Sequence, residues 1–130
     1  MNSREKGKRG ERQWRDELRA NGYMARRGQQ FSGSPDSPDV ICDELSWLHF
    51  EVKAVERLNI EDAMDQARRD AGRVASGGHH KTPVVAHRRR FRRWLVTMEA
   101  ETFFQFLRGT LPRQSTGAVR QESTETTEQQ

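Results

Sequence analysis

Two short apolar segments of this chain carry charged residues at positions where a core strand normally has none. The first is Pro38-Asp39-Val40-Ile41, and the second is Phe50-Glu51-Val52-Lys53-Ala54. Because alternate side chains of a β-strand point to the same face, Glu51 and Lys53 should lie side by side, with the apolar residues of their segment on the other face. Two neighbouring strands of this kind would bring Asp39, Glu51 and Lys53 together.

These residue types suit the hydrolysis of a phosphodiester. Carboxylate oxygens bind Mg²⁺, together with waters and the phosphate of a substrate. An amine beside such a metal can orient or deprotonate the attacking water. We therefore expect Asp39 and Glu51 to bind Mg²⁺ or Mn²⁺ and Lys53 to act on the water. The alternative is that Glu51 and Lys53 form an ordinary surface ion pair, which contributes little to stability.

A third carboxylate occurs in a predicted first helix, which runs from about Arg4 to Ala20 and stops at a C-cap signal, Asn21-Gly22. The apolar stripe of this helix contains Trp14, and Glu11 lies three residues before it. This spacing predicts that Glu11 lies on the buried face, near the other acidic residues. The alternative is a glutamate favoured only by the helix dipole, and the helical pattern leaves both interpretations open.

The basic residues are clustered. The formal net charge is +4, and residues 113–130 contain two arginines and three glutamates, which leaves +5 for the rest. Such clustering indicates a polyanion such as DNA as partner, because each neutralised phosphate releases counterions. A basic surface that serves solubility alone is the other possibility. The candidate DNA contacts are Lys8, Arg9, Arg27, Arg88, Arg89, Arg90, Arg92 and Arg93.

Composition predicts one modest domain and a polar tail. The 130 residues are 32% hydrophobic, with a mean hydropathy of −1.04. Part of this deficit lies in 112–130, where the few apolar residues cannot offset the chain entropy, so we expect a folded domain over 1–111 and a disordered tail. No apolar run is long enough for a membrane span or a signal peptide, which predicts a cytoplasmic protein without membrane contact.

The cysteine and the histidines do not predict a metal site of their own. Cys42 is the only cysteine in the sequence, which excludes an internal disulfide and a cysteine zinc cluster, and we expect it to pack in the core. The histidines lack a spacing that would bring them together as ligands. They are His49, His79, His80 and His87.

The order of predicted elements is α-β-β-β-α-β-β-α. The second helix carries Gln66 near its middle, beside the apolar stripe, and a Ser/Gly loop containing Ser32 leads into Asp39. A mixed β-sheet flanked by helices fits this order, so the fold class should be α/β (α+β). The predicted bounds are helix 4–20, strands 22–27, 39–42 and 45–53, helix 57–74, strands 82–87 and 94–98, and a short helix that includes 103–107.

Residues between positions 4 and 108 follow an order typical of one group of nucleases. They are Lys6-Gly7 and Glu11-Arg12, Arg26-Arg27, the Ser/Gly loop, Pro38-Asp39, Glu51-Val52-Lys53, Gln66, Pro83-Val84-Val85 and Trp94. The pattern resembles the PD-(D/E)xK nuclease superfamily. Within it, the chain is similar to the archaeal-type Holliday junction resolvases and their phage-encoded relatives.

The resemblance implies a restriction-endonuclease-like fold and assigns roles to individual residues. Asp39 and Glu51 match the metal-binding carboxylates, and Lys53 matches the catalytic lysine. Glu11 matches the first-helix glutamate that completes the metal site.

Two further matches involve polar side chains. Ser32 falls in the loop where these resolvases have a functional serine, although neighbouring Ser and Gly residues align equally well. Gln66 resembles a glutamine that some nucleases of the superfamily carry in the helix after the lysine. The basic stretch 88–93 and the polar tail depart from the resolvase pattern, which leaves junction specificity open.

Three functions are compatible with these residues. The first is a Mg²⁺-dependent endonuclease that resolves branched DNA as a homodimer, in the cytoplasm of a bacterium or a phage-infected host. The second is a nicking, restriction-like or repair nuclease with the same fold. The third is a basic nucleic-acid-binding module without catalytic activity. Fold and motif alone do not separate the first two, because the same site can cut any phosphodiester that the surface can hold.

Overall fold

A computed structural model describes residues 3–27, 40–72 and 80–112. The chain divides into two compact units, Met1–Glu99 and Ala100–Gln130. The elements are α1 (Ser3–Ala20), β1 (Arg26–Arg27), β2 (Val40–Ile41), a 3-10 turn (Asp43–Leu45), β3 (Leu48–Ala54), α2 (Ile60–Gly72), β4 (Thr82–Arg88), β5 (Leu95–Thr97) and α3 (Ala100–Arg108). The mixed α+β class and the predicted order of helices and strands are confirmed for this part of the chain. The predicted disordered tail lies outside the described residues, apart from its first residue.

The strands of the first unit form two sheets in the described ranges, where one mixed sheet was predicted. β3, β4 and β5 form a three-stranded mixed sheet, in which β3 is parallel to β4 and β4 is antiparallel to β5. β1 and β2 pair only with each other, antiparallel. Both are two residues long, which is below the usual length of a strand.

The first strand is shorter than predicted because α1 ends with a turn that uses the residues after it. Gly22 has φ +93, and the Tyr23 amide donates to the Leu18 carbonyl at 3.0 Å. This is the hydrogen bond that closes a helix C-terminus around a left-handed residue. The predicted C-cap is therefore confirmed, and extended backbone begins only at Arg26.

The two long helices cover opposite faces of β3. On one face, Trp14 of α1 contacts Phe50 with ring centroids 5.4 Å apart. On the other, Lys53 reaches Gln66 of α2. The alternation predicted for β3 is confirmed, since its even-numbered residues face α1 and its charged residues face α2. α2 crosses from β3 to the parallel strand β4, and all three elements are consecutive in the chain.

Each face of the sheet has its own apolar core. The core on the α1 side contains Trp14, Leu18, Ala25, Cys42 and Ala86, with Phe50, Val52 and Trp94 among the half-buried residues around it. The core on the α2 side contains Ala63, Met64, Ala67 and Val85. The apolar stripe predicted for the second helix is confirmed at Ala63, Met64, Ala67 and Ala71, and so is the burial of Cys42.

α3 is the described helix of the second unit. It ends at Gly109, which has φ +72, and the Thr110 amide donates to the Gln105 carbonyl at 3.0 Å. Phe103 and Phe104 contact each other with ring centroids 5.9 Å apart. In the described ranges, the helices are all too short or too polar to cross a lipid bilayer.

Gly10 allows α1 to approach β3 closely. A Cβ atom built on Gly10 would lie 3.0 Å from the Ala54 Cβ and 3.9 Å from a Val52 methyl group. The helix therefore contacts the strand through backbone at this point, and a larger residue would push the two elements apart. Gly7 is the natural comparison, because a Cβ there meets no described atom within 4 Å.

We predict that Gly10→Leu lowers the free energy of unfolding by about 1–3 kcal/mol, since overpacking forces backbone shifts. Gly7→Leu should raise it by up to about 1 kcal/mol, because leucine is the better helix former. Urea denaturation followed by circular dichroism at 222 nm measures both values. Equal stability of the two variants would contradict the close contact between α1 and β3.

Candidate functional site

The charged face of β3 is the centre of the candidate site. His49, Glu51 and Lys53 alternate along the strand and point towards α2. Glu51 is only 9% exposed, so its carboxylate is largely removed from water. A carboxylate this enclosed needs charged or hydrogen-bonding partners, because desolvation of an unpaired charge is costly.

Glu51 has a partner on each side along its own strand. Its Oε1 lies 3.3 Å from His49 Nε2, and its Oε2 lies 3.6 Å from Lys53 Nζ. The Lys53 side chain also donates a hydrogen bond from Nζ to Gln66 Oε1, at 3.0 Å. The structure thus brings together three of the residues that the sequence predicted as catalytic, namely Glu51, Lys53 and Gln66.

α2 can contribute polar groups here because one face of the helix is made of alanine. Ala63, Ala67 and Ala71 recur every four residues and are all buried, with Ala67 fully inaccessible. Small side chains let the helix lie close to the sheet. Gln66 and Asp70, also four residues apart, therefore border the alanine face and reach the charged face of β3.

A group of possible metal ligands lies at this place. The ligand atoms of His49, Glu51 and Asp70 all lie within 4.8 Å of one another. Two carboxylates suit Mg²⁺ and Mn²⁺, whereas an imidazole is a poor ligand for Mg²⁺ and a better one for softer divalent metals. This donor set therefore fits Mn²⁺ at least as well as Mg²⁺, and it needs further oxygen ligands from water or from the chain.

Three of the predicted site residues do not belong to this group in the structure. Two lie outside the described residues, and the third lies on α1. Asp39 and Ser32 lie outside the described residues, so their roles stay predictions. Glu11 lies half-buried on α1, next to Gly10, which packs against the opposite face of β3. It is not part of the group formed by His49, Glu51 and Asp70. The buried position one turn before Trp14 is occupied by Gly10, and a metal role for Glu11 also stays a prediction.

The predicted basic hairpin is present between β4 and β5. We call residues 88–93 the basic hairpin. Arg89, Arg90, Arg92 and Arg93 are exposed, as expected for contacts with a phosphate backbone. The Arg90 amide donates to the Glu56 carboxylate at 2.7 Å, which ties the hairpin to the segment after β3.

Arg88 differs from the other arginines of the basic hairpin because it packs against the protein. Its guanidinium lies over the Trp94 ring, 5.2 Å from the centroid, and donates to Gln13 of α1 at 3.5 Å. Such a contact combines cation–π attraction with packing of the alkyl stem. A role of Arg88 in DNA binding stays a prediction, and its visible role is structural.

The other predicted DNA contacts lie on α1 and β1. Lys8 is half-buried and Arg9 is exposed on α1, whereas the side chain of Arg27 lies outside the described residues. Gly10 contacts Ala54, and Ala54 is the register partner of Arg88. The start of α1 and the basic hairpin therefore both lie at the carboxyl ends of β3 and β4.

His87 occupies the position beside Lys53 on the neighbouring strand. Its Nε2 lies 2.8 Å from the Thr97 hydroxyl. Burial lowers the pKa of His87 below its ordinary value, because desolvation disfavours the charged imidazolium. His87 is thus neutral at pH 7 and adds no positive charge beside Lys53.

Sequence reasoning missed His49 and Asp70 as members of the site. Both follow the same strand and helix periodicities that identified Glu51, Lys53 and Gln66. His49 lies two residues before Glu51, so the alternation that pairs Glu51 with Lys53 also includes His49. Asp70 lies one helical turn after Gln66 and so shares its face of α2. The spacing between histidines gave no sign of this group, because the partners of His49 are the carboxylates of Glu51 and Asp70.

Comparison of the chain with protein-family models, curated proteins and solved structures finds no match. The similarity to PD-(D/E)xK nucleases therefore stays a prediction from the residues and their order.

Proposed function

We propose that this protein is a metal-dependent endonuclease that hydrolyses phosphodiester bonds of DNA, with branched DNA as the preferred substrate. One observation carries the proposal. A nearly buried carboxylate, Glu51, has a lysine, a histidine and a second carboxylate around it, on the sheet face predicted to be catalytic. Replacing a buried ion pair by apolar residues is often neutral or stabilising, so stability alone does not account for these charges.

The metal would be held by Glu51 and Asp70, with His49 at its side and the predicted ligand Asp39 completing the site. A bound divalent ion supplies Lewis-acid polarisation of the phosphate and a lower pKa of the attacking water. The oxygen of this water forms the new bond to phosphorus, and the bond from phosphorus to the leaving oxygen breaks. The water loses its proton to solvent, and the leaving oxygen takes one up.

Lys53 acts on the phosphate or on the attacking water in this proposal. Its ammonium donates hydrogen bonds to whichever oxygen carries the developing negative charge. Gln66 supports this role, because its Oε1 accepts from Lys53 Nζ and so fixes the direction of the side chain. Glu51 holds the same ammonium through Oε2, and its Oε1 faces His49 Nε2 at 3.3 Å, so a metal bound by both residues would replace their direct contact.

The basic hairpin and the first turns of α1 support DNA as the substrate. They lie at the carboxyl ends of β3 and β4, and α/β sheets commonly bind ligands at this edge. The preference for branched DNA rests on the resemblance to resolvases. A chain with one such site makes one incision at a time, so paired incisions in a junction need two copies, most simply a two-fold dimer.

DNA binding without catalysis is the second candidate function. It is favoured by one observation, namely that Glu51 and Gln66 already occupy the Lys53 ammonium, as they would in a structural ion pair. The two candidates differ in what a divalent metal does, and the following experiments separate them.

The carboxylates are tested first. Glu51→Gln and Asp70→Asn should each abolish cleavage in Mn²⁺ or Mg²⁺ and weaken metal binding at least tenfold, since each removes an anionic ligand. Cleavage of labelled DNA and titration with Mn²⁺ followed by electron paramagnetic resonance give the two readouts.

The matched controls are Glu61→Gln and Asp62→Asn, two exposed acidic residues in the first turn of α2. Both controls should cleave and bind Mn²⁺ as the unmodified protein does. Full activity of Glu51→Gln would contradict the proposed site, and activity lost only in Asp70→Asn would move the metal away from β3.

Lys53 is tested by Lys53→Ala and Lys53→Arg. Removal of a group that acts directly on the reacting atoms should lower the single-turnover rate by about 10²- to 10⁴-fold at saturating DNA. Gln66→Ala should cause a smaller loss, because it acts only through the direction of Lys53. If melting temperature falls in Lys53→Ala while the cleavage rate is unchanged, the lysine is a structural partner of Glu51.

Substrate and assembly are tested together. We predict a homodimer by sedimentation velocity at micromolar concentration, and tighter binding to a four-way junction than to linear duplex of equal length. Cleavage of junction, flap, duplex and single strand is compared with and without divalent metal. A monomer with equal affinity for junction and duplex would favour a nuclease that makes single incisions.

A further inference from the structure

A groove of about 700 Å³ adjoins the candidate site at the base of the basic hairpin. It lies between this hairpin and the segment that connects β3 to α2. Its walls combine an apolar surface with arginine side chains. Among the residues that line it are Leu58, Ile60 and Leu95 on the apolar surface, and Arg89, Arg92 and Arg93 at the rim.

The tip of the basic hairpin carries an aromatic ring in an unusual backbone conformation. The Arg92 amide donates to the Arg89 carbonyl at 3.0 Å, which closes a four-residue turn with Phe91 as its third residue. Phe91 has φ +62 and is 92% exposed. Turns with positive φ at this position normally have glycine or asparagine there. The Arg90 guanidinium lies over the ring, 5.6 Å from its centroid, and the ring is still open to solvent. Phenylalanine gains almost no burial and no favourable backbone from this position, which points to a use outside the fold.

The composition of the groove identifies the kind of ligand. Apolar walls and an aromatic ring favour a flat, weakly polar group, and the arginines favour an anion. Within the described lining, Glu56 is the single acidic residue, and it is engaged by the hairpin through Arg90 and Arg89. A nucleotide combines both features, since its base can stack on a ring and its phosphate can pair with a guanidinium.

We propose that the groove and Phe91 hold one unpaired nucleotide of a DNA strand, with its base stacked on the Phe91 ring and its phosphate bound by Arg92 and Arg93. The base must be unpaired, because a base inside a duplex stack presents only its edges to a side chain. An exposed ring flanked by arginines is the arrangement by which proteins bind single strands without sequence preference.

The position of the groove connects it to the candidate site. His87 lines the groove and is the register partner of Lys53, so the two lie on adjacent strands, about 4.8 Å apart in backbone. A nucleotide in the groove would therefore lie next to the β-strand that carries Lys53 and Glu51. The choice of DNA as partner rests on the proposed function. Binding of an unpaired nucleotide in the groove would direct the enzyme to phosphates beside unpaired bases, as at branch points, flaps and gaps.

The test compares two oligonucleotides of equal charge without divalent metal, so that no cleavage interferes. One carries bases, and the other has abasic sites at the same positions. The unmodified protein should bind the first about 5- to 150-fold more tightly, the range measured for stacking of one base. Phe91→Ala should reduce this ratio to near one, and Phe91→Trp should keep it. Fluorescence anisotropy gives both affinities.

Three further variants separate the effect of the Phe91 ring from the effects of charge, of other exposed rings and of stability. Arg92→Ala with Arg93→Ala should weaken binding of both oligonucleotides and lower the salt slope by about 1.4, as expected for two lost phosphate contacts on a single strand. Tyr23→Ala removes another exposed aromatic ring outside the groove and should change neither affinity. Phe91→Asn removes the ring with a residue that tolerates positive φ, so it should fold as stably as the unmodified protein and lose the preference for bases.

The outcomes separate this inference from the proposed function. If the unmodified protein shows no preference for bases, or if Phe91→Ala and Phe91→Asn keep it, the stacking site does not exist, whatever the cleavage assay shows. If the preference depends on Phe91 but no metal supports cleavage, the binding site stands and the nuclease proposal fails. If Phe91→Ala converts a dimer to a monomer without DNA, the ring belongs to an interface between copies and the inference is wrong.

Discussion

The enclosed carboxylate of Glu51 is the constraint on which the rest of the site depends. Removing a carboxylate from water is tolerated when counter-charges and hydrogen bonds surround it, so the residues around Glu51 are determined by that need. His49 and Lys53 come from the same strand, at spacings that the β-pleat sets. Gln66 and Asp70 come from α2, which lies close to the sheet because three of its four buried residues are alanines. Replacing these alanines by larger residues would move the helix away from the sheet. Glu51 would then keep only the neighbours from its own strand, His49 and Lys53.

The two faces of the sheet differ in composition, since one is apolar and the other carries the candidate site. On the α1 side, Trp14, Phe50 and Trp94 form an aromatic cluster, and Gly10 brings the helix into backbone contact with β3. On the α2 side, a small apolar core of alanine, methionine and valine lies next to the polar group. The parallel crossover from β3 to β4 then ends both strands at one edge. The same edge receives the basic hairpin, the start of α1 and the apolar groove, so charge and binding surface lie next to the site.

The accuracy with which the sequence predicted each helix or strand depends on the length of that element. α1, α2 and β3 were predicted well, because long runs repeat their apolar pattern several times. β1 and β2 were predicted too long, since two-residue strands carry no periodicity and the residues beside them form a helix cap and a 3-10 turn. The predicted mixed sheet is present in β3, β4 and β5, whereas β1 and β2 pair apart from it in the described ranges. Which strands pair is decided by contacts between distant segments, and single residues do not reveal it.

The sequence by itself determined what depends on local geometry. It placed Glu51 and Lys53 on one face of a strand, Gln66 in the middle of a helix, and the arginines in a hairpin, because periods of two and 3.6 residues follow from the backbone alone. Only the tertiary structure decided that Asp70 and His49 join Glu51, that Lys53 meets Gln66, that Arg88 turns onto Trp94 and that Phe91 is exposed. These contacts depend on how closely α2 and α1 approach the sheet and on the register of β4 with β3. Both are set by packing between segments that are far apart in the chain, and no short stretch of sequence contains that information.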